Sequence, residues 1–164
     1  MAAIDIVKES LWQQFGASIE MLKNAIVMWP EDAWKNNPKG FHMAYHTLFF
    51  LEYYLTNPPL NFKPTLEAER DDDDMPKEIF SKKEILEYLE ECRAKCRQVI
   101  DGLNENNLDR RWIQPERWPR NYNAFELLMY NMRHVQHHAA QMNMMLRNQI
   151  NDSPDWVSRA SGGA

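Results

Sequence analysis

Histidines are the residues of this 164-residue chain whose type and spacing could support chemistry. His134, His137 and His138 lie together in the segment RHVQHHAAQMNMMLR, and His42 and His46 lie four residues apart in GFHMAYHTLFFLEYYL. Neutral imidazoles are common ligands of zinc, nickel and ferrous iron. The alternative is that all five side chains only pack or form hydrogen bonds within the protein.

Helical geometry separates the three later histidines from one another. On a helical wheel with about 100° per residue, His138 lies about 80° and His134 about 120° from the centre of the apolar face, on the same side. His137 lies about 180° away, on the face that we expect to be wet. Side chains four residues apart are separated by about 6 Å along the axis, so the imidazoles of His134 and His138 can converge on one ion. The pair His134 and His137 points further from the core and is the less favoured alternative.

A third ligand would have to come from another helix. His46 is the better candidate because it lies deeper in its apolar segment, whereas His42 lies near the start of that segment and could be a residue of the rim. Three protein ligands with open coordination positions are typical of catalytic zinc sites. The nearest carboxylates, Glu52 and Glu126, form no Glu-x-x-His pair, which argues against a di-iron carboxylate site.

Four long helical patterns must position these histidines. The spacing of apolar residues predicts helices at about residues 4–28, 40–56, 81–102 and 123–148, with a short helical turn at PEDAW. Ser81 with Glu84, and Asn123 with Glu126, predict capping boxes at the starts of the last two helices. No convincing alternating strand pattern is present. We therefore predict an all-α protein, a four-helix bundle over residues 1–150, with a partly flexible C-terminal tail over residues 151–164.

Composition excludes several classes of partner. The net charge is −5, the sequence pI is about 5.5 and no basic cluster occurs, which argues against nucleic-acid and membrane partners. The acidic residues 71–74 lack the spacing of a calcium loop and indicate a solvated loop. No apolar run approaches the roughly 18 residues of a membrane span. Cys92 and Cys96 are expected to be buried thiols rather than a disulfide, so we expect a cytoplasmic protein.

The two histidine segments also resemble a known family. AYHTLFFLEYYL, followed much later by RHVQHHAAQMNMMLR, is similar to the DinB family, in which one histidine of the second helix joins two histidines four residues apart on a later helix. The segments WPEDAW and PDWV and the order of the helices are similar too, so the resemblance covers nearly the whole chain. The family pattern continues with Gly-Gln, and Ala140 departs from it by replacing the glycine before Gln141. The resemblance places a metal triad on His46, His134 and His138.

The resemblance implies a four-helix bundle of crossed connectivity that forms a homodimer. Its best understood members are thiol-dependent transferases and isomerases whose metal binds the thiol. It thus implies a metal-dependent enzyme, a thiol-dependent S-transferase, that uses a small-molecule substrate and a low-molecular-weight thiol. Zinc is the divalent ion expected first, with nickel or iron as alternatives. A metal-dependent hydrolase and a non-catalytic dimeric helical bundle are the rival functions, and no catalytic residue is assigned.

Further residues could support such a site. Candidates for hydrogen bonds that orient the ligands are Asn131, Glu52, Gln141 and Tyr53. Aromatic side chains that could line a pocket, or simply belong to the core, are Phe49, Phe50, Tyr53, Trp112 and Trp118. Arg133 could meet an anionic substrate, although its place next to His134 also suits a surface charge.

Overall fold

The computed structural model describes residues 2–71, 75–115 and 118–162, and this part of the chain contains five helices and one small sheet. The elements are, in chain order, α1 (Ala3–Met28), α2 (Glu31–Asn36), α3 (Lys39–Leu55), α4 (Lys82–Asp101), β1 (Arg111–Gln114), β2 (Arg120–Asn123) and α5 (Ala124–Ile150). The prediction of a mostly helical protein is confirmed. Three residues of the acidic run, 72–74, lie outside the described residues.

Local signals account for the helix starts. Ser81 caps α4 as a full capping box, because its hydroxyl accepts from the Glu84 N–H while its own N–H donates to the Glu84 carboxylate. At α5, the Asn123 side chain accepts from the Glu126 N–H at 2.8 Å, which is one half of the predicted box. Each capping bond satisfies a backbone donor that the helix leaves without a partner at its N-terminus.

The four long helices share one apolar core. α1 and α3 each pack against both α4 and α5. Every one of the long helices contributes fully buried side chains, among them Phe15, Leu48, Leu89 and Val135. Cys92 and Cys96 are free and buried in this core, which confirms the prediction of buried thiols. The contact between α3 and α5 brings the two histidine-bearing helices together. None of the helices in the described ranges is long and apolar enough to cross a membrane.

A β-hairpin occupies the segment before α5, and here the prediction of no strand was wrong. β1 and β2 pair antiparallel, with Trp112 opposite Tyr122. Trp112 is fully buried, and its indole N–H donates to the Thr56 carbonyl at 2.8 Å. Each strand is only four residues long, too short for an alternating pattern to stand out in the sequence. The hairpin is therefore held by the burial and hydrogen bond of Trp112 as well as by the backbone pairing of β1 with β2.

The C-terminal segment packs along α1, which the sequence did not indicate. The Ala160 N–H donates to the Gln13 carbonyl at 3.0 Å, and the Ser161 N–H donates to the Glu20 carboxylate at 2.7 Å. A Cβ added to Gly16 would lie 2.6 Å from the Ala160 Cβ, closer than two carbon atoms can approach. Gly16 therefore provides the space in which Ala160 is buried.

Glu52 clamps the long loop between α3 and α4. Glu52 is 4% exposed, and its carboxylate accepts from the Thr65 N–H at 2.9 Å, the Thr65 hydroxyl at 2.6 Å and the Tyr88 hydroxyl at 2.8 Å. Lys95 adds an ion pair at 3.4 Å. Burial alone would raise the pKa of Glu52, but the hydrogen bonds from Thr65 and Tyr88 hold that pKa below its ordinary value. The charged carboxylate thus ties loop, α3 and α4 together.

Replacing Glu52 with alanine is expected to lower the free energy of unfolding by about 2–4 kcal/mol, because the buried Tyr88 hydroxyl and the Thr65 groups lose their acceptor. Urea unfolding at pH 7 measures this change. Glu87→Ala is the matched control, since Glu87 lies exposed on α4 in an ion pair with Lys83, and we expect it to change stability by no more than about 0.5 kcal/mol. Equal losses of stability from the two substitutions would show that the hydrogen bonds of Glu52 do not stabilise the packing of the long loop on α3 and α4.

Candidate metal site

Three imidazoles meet where α3 packs on α5. The ring centroids of His134 and His138 are 4.6 Å apart, those of His46 and His138 are 4.8 Å apart, and those of His46 and His134 are 5.5 Å apart. One ring nitrogen from each lies within 4.8 Å of the others. All three side chains are half-buried. His134 and His138 lie on one face of α5, and His46 comes from the apolar segment of α3.

The spacing of the α5 pair suits a shared ion. The Nε2 atoms of His134 and His138 are 3.1 Å apart. Two nitrogens that each bind one zinc ion at ~2.0–2.1 Å, with bond angles between those of octahedral and tetrahedral geometry, lie about 2.9–3.4 Å apart. The donor set, three imidazoles, also matches the ligands that zinc, nickel and ferrous iron accept. The residues present therefore fit a divalent transition metal.

Gln141 forms a hydrogen bond with one of the clustered histidines. Its Oε1 lies 2.7 Å from Nδ1 of His138, so with the amide in this orientation Nδ1 carries the proton and donates. The lone pair of the ring is then on Nε2, the nitrogen that faces His134. Of the groups that the sequence suggested as hydrogen-bond partners of these histidines, Gln141 forms such a bond, whereas Asn131 donates to the Leu51 carbonyl and Glu52 faces α4.

The three rings are neutral near pH 7. Burial lowers the pKa of His46 to about 4, and the nearby His138 contributes to this decrease. Burial lowers the pKa of His134 to about 3, with further contributions from the surrounding histidines and Arg120. Burial also lowers the pKa of His138, against an opposing effect of the hydrogen bond with Gln141. Neutral imidazole is the form that binds metals.

The other two histidines lie outside this cluster. His137 is exposed, as the helical wheel predicts, and its ring centroid is 5.1 Å from that of His138. The ring of His42 packs against Phe41, with 5.4 Å between centroids, beside a small cavity of 390 Å³ that His46 and His138 also line. Both residues therefore lie at the periphery of the cluster.

A cavity of about 770 Å³ opens beside the three histidines. This volume lies in the range of small-molecule sites, roughly 300–1,000 Å³. Its aromatic lining includes four of the five side chains suggested by the sequence, namely Phe49, Phe50, Tyr53 and Trp118. Trp112 is instead fully buried and packs against Tyr53 and Tyr54, so it supports the cavity wall from behind.

Two arginines of this cavity were not found by sequence reasoning. Arg120 comes from β2, and Arg70 comes from the loop between α3 and α4, where its guanidinium lies 4.6 Å from the centroid of the Phe49 ring. Arg70 pairs with Pro76 in an isolated bridge and Arg120 begins the four-residue strand β2. Neither belongs to a sequence motif, so no local signal could have identified them. Arg133, the arginine that the sequence suggested, is exposed and lines a different depression on α5.

Comparison with known proteins gives one informative result. A family model described as the DinB superfamily matches residues 9–142, a range that includes the three clustered histidines and the hairpin. Searches of curated proteins and of solved structures returned no significant match.

Proposed function

The chain belongs to the DinB superfamily, and on this premise we propose that it is a metal-dependent enzyme in which His46, His134 and His138 hold one divalent ion. The observation that carries the proposal is the convergence of three neutral imidazoles, from two helices, on ligand atoms within 4.8 Å of one another. Three protein ligands would leave coordination positions for water or a substrate, and the three histidines line the adjacent cavity. Zinc is the ion expected first, with nickel and ferrous iron as alternatives.

The reaction that we propose is thiol-dependent S-transfer to a small electrophilic molecule, in which the thiolate sulfur bonds to an electrophilic carbon and the leaving group departs with the electrons of the bond that breaks. A bound divalent ion would favour the thiolate form of a thiol and so supply the nucleophile. The residues of the chain contribute the rest: the histidines stay neutral, Gln141 fixes the ring of His138, and aromatic side chains line the cavity for an apolar part of the substrate. None of these steps requires a nucleophilic side chain.

A paired assay tests this function. Protein stripped with a chelator and reloaded with zinc, nickel or ferrous iron is incubated with a chromogenic electrophile, with and without a panel of low-molecular-weight thiols. S-transfer predicts product only when both metal and thiol are present. Turnover with metal but without thiol would favour a hydrolase instead. Failure of all three metals to bind would remove the basis of the proposal.

Gln141→Ala is expected to weaken metal affinity by roughly 10-fold or more, because the His138 ring loses the acceptor that holds its proton on Nδ1. Competition with a chromogenic chelator measures the affinity. Gln149→Ala is the matched control, because Gln149 is an exposed glutamine on the same helix, away from the histidines. Unchanged affinity in Gln141→Ala would show that this hydrogen bond does not orient a ligand.

The arrangement of helices is also part of the proposal. Because α1 and α3 each pack against both α4 and α5, we propose a four-helix bundle of crossed connectivity, in which α1 lies diagonally across from α3, and α4 lies diagonally across from α5. The homodimer, the low-molecular-weight thiol partner and the cytoplasmic location stay predictions.

A further inference from the structure

Arg120 occupies a fixed position on the cavity wall. Its Nη1 donates to the Tyr54 hydroxyl at 2.9 Å. Its guanidinium carbon lies 5.7 Å from the ring centroid of Tyr54 and 5.4 Å from that of Tyr130, within the range of cation–π contacts, about 6 Å. These contacts order a long, otherwise flexible side chain without using most of the five hydrogen-bond donors of the guanidinium.

The charge of Arg120 has no counter-ion among the residues that the structure describes. No described aspartate or glutamate forms an ion pair with it, and none lines the cavity. Tyr54 does not supply a negative charge, because burial raises the pKa of its phenol well above the ordinary value. Guanidinium remains protonated at any pH that a protein tolerates. A half-buried cation without a counter-ion among the described residues favours the entry of an anion.

Arg120 lines the same cavity as the three clustered histidines, and the charge of Arg120 contributes, after burial and the other histidines, to the lowered pKa of His134. Aromatic side chains line the same cavity. A ligand that spans this cavity therefore meets the three histidines, an apolar wall and a cation. Arg70 adds a second positive charge to the wall, but the inference does not depend on it.

We propose that Arg120 is an anion-binding residue, and that the molecule which occupies this cavity carries a carboxylate or another oxyanion on an apolar or aromatic body. The proposal rests on the proposed function for its location beside a metal, and it names the class of substrate or thiol that the site takes. Planar guanidinium binds carboxylate and phosphate groups through two parallel hydrogen bonds, so both groups share the chemistry.

Binding of matched probes to the metal-free protein tests the proposal. Benzoate, phenylphosphate and benzamide share one aromatic ring and differ in charge, and calorimetric titration measures their affinities. We expect at least one of the two anions to bind roughly tenfold or more tightly than benzamide, the size of effect that a charge-assisted hydrogen bond gives. The tighter of the two anions identifies the oxyanion. If neither anion binds more tightly than benzamide, the proposal is overturned.

Substitutions assign the effect to one side chain. Arg120→Gln is expected to reduce anion affinity to that of benzamide, and Arg120→Lys is expected to lose severalfold in affinity because lysine keeps the charge but not the paired donors. Arg133→Gln is the matched control and should bind like wild type, since Arg133 lies outside this cavity. If Arg120→Gln fails to fold, the anion affinity of Arg120→Lys still tests whether Arg120 binds the anion. An undiminished, wild-type preference for anions in the folded Arg120 variants overturns the proposal.

The measurement separates this proposal from the proposed function. If the protein binds no divalent metal but prefers the anions through Arg120, the proposed anion site stands and the proposed metal site does not. If the protein binds metal but shows no preference among the three probes, the proposed metal site stands and the proposed anion site does not. Repeating the comparison with the zinc-loaded protein, using mercaptobenzoate against thiophenol, then tests whether both sites act on one ligand.

Discussion

His134→Ala is expected to reduce the bound divalent metal from one ion per chain to none after desalting. His134 is one of the three proposed ligands, with its Nε2 at 3.1 Å from that of His138 and its ring centroid 5.5 Å from that of His46. Two remaining imidazoles leave a three-ligand site incomplete. Even loss of a group that only orients a ligand lowers affinity by roughly 10–100-fold, so loss of a ligand should cost at least about 100-fold. Elemental analysis after equilibration with zinc measures the stoichiometry.

His137→Ala is the matched control for this experiment. It removes the same side chain from the same helix, but from an exposed position outside the cluster. We expect this variant to keep one ion per chain. Thermal unfolding of both variants verifies that they are folded. Retention of a full ion by His134→Ala, or loss of the ion in His137→Ala, would show that the three clustered histidines are not the ligands.

Acidification is expected to destabilise the metal-free protein steeply between about pH 6.5 and pH 4. Burial lowers the pKa of His46 to about 4 and that of His134 to about 3 in the folded state, whereas an unfolded histidine titrates near 6.5. Below pH 6.5 the unfolded chain therefore binds protons that the folded chain does not. The stability is fully present above that pH and is lost as the pH falls. Each histidine contributes a slope of at most about 1.4 kcal/mol per pH unit, reduced where water reaches the ring.

Urea unfolding at several pH values from 7.5 to 5, with a chelator present, measures this slope. The lower limit keeps the lowered pKa of Glu52 from contributing. A double variant, His46→Gln with His134→Gln, is expected to show a much shallower dependence because neither position titrates. A wild-type free energy of unfolding that stays constant over this range would mean that the two histidines bind protons in the folded protein as readily as in the unfolded chain.

Local features of the sequence predicted most of the helical framework. The three- and four-residue apolar spacing placed the long helices within a few residues of their observed bounds, and the Ser81 and Asn123 caps marked two starts correctly. Both kinds of signal act over one or two turns, so they are present in the chain before it folds. The common side of His134 and His138 follows from the same helical geometry.

Glu52 shows where such local reasoning ends. Its place on the histidine-bearing helix made it a candidate partner for a ligand, but the wheel does not specify which helix faces that side. In the folded protein the carboxylate points at Tyr88 and Lys95 of α4 and at Thr65 of the long loop. The packing of α3 between α4 and α5 decides which helix the Glu52 carboxylate faces.

The sequence by itself determined the helices, their caps and the pairing of two histidines on one face, because these depend on neighbours three or four residues apart. Only the tertiary structure decided the rest. The hairpin is anchored by Trp112 on Thr56, the C-terminal segment by Ala160 on Gly16, and Arg120 reaches the cavity from β2. Each of these features depends on contacts between residues far apart in the chain, which leave no periodic pattern, so only the packed fold brings their groups together.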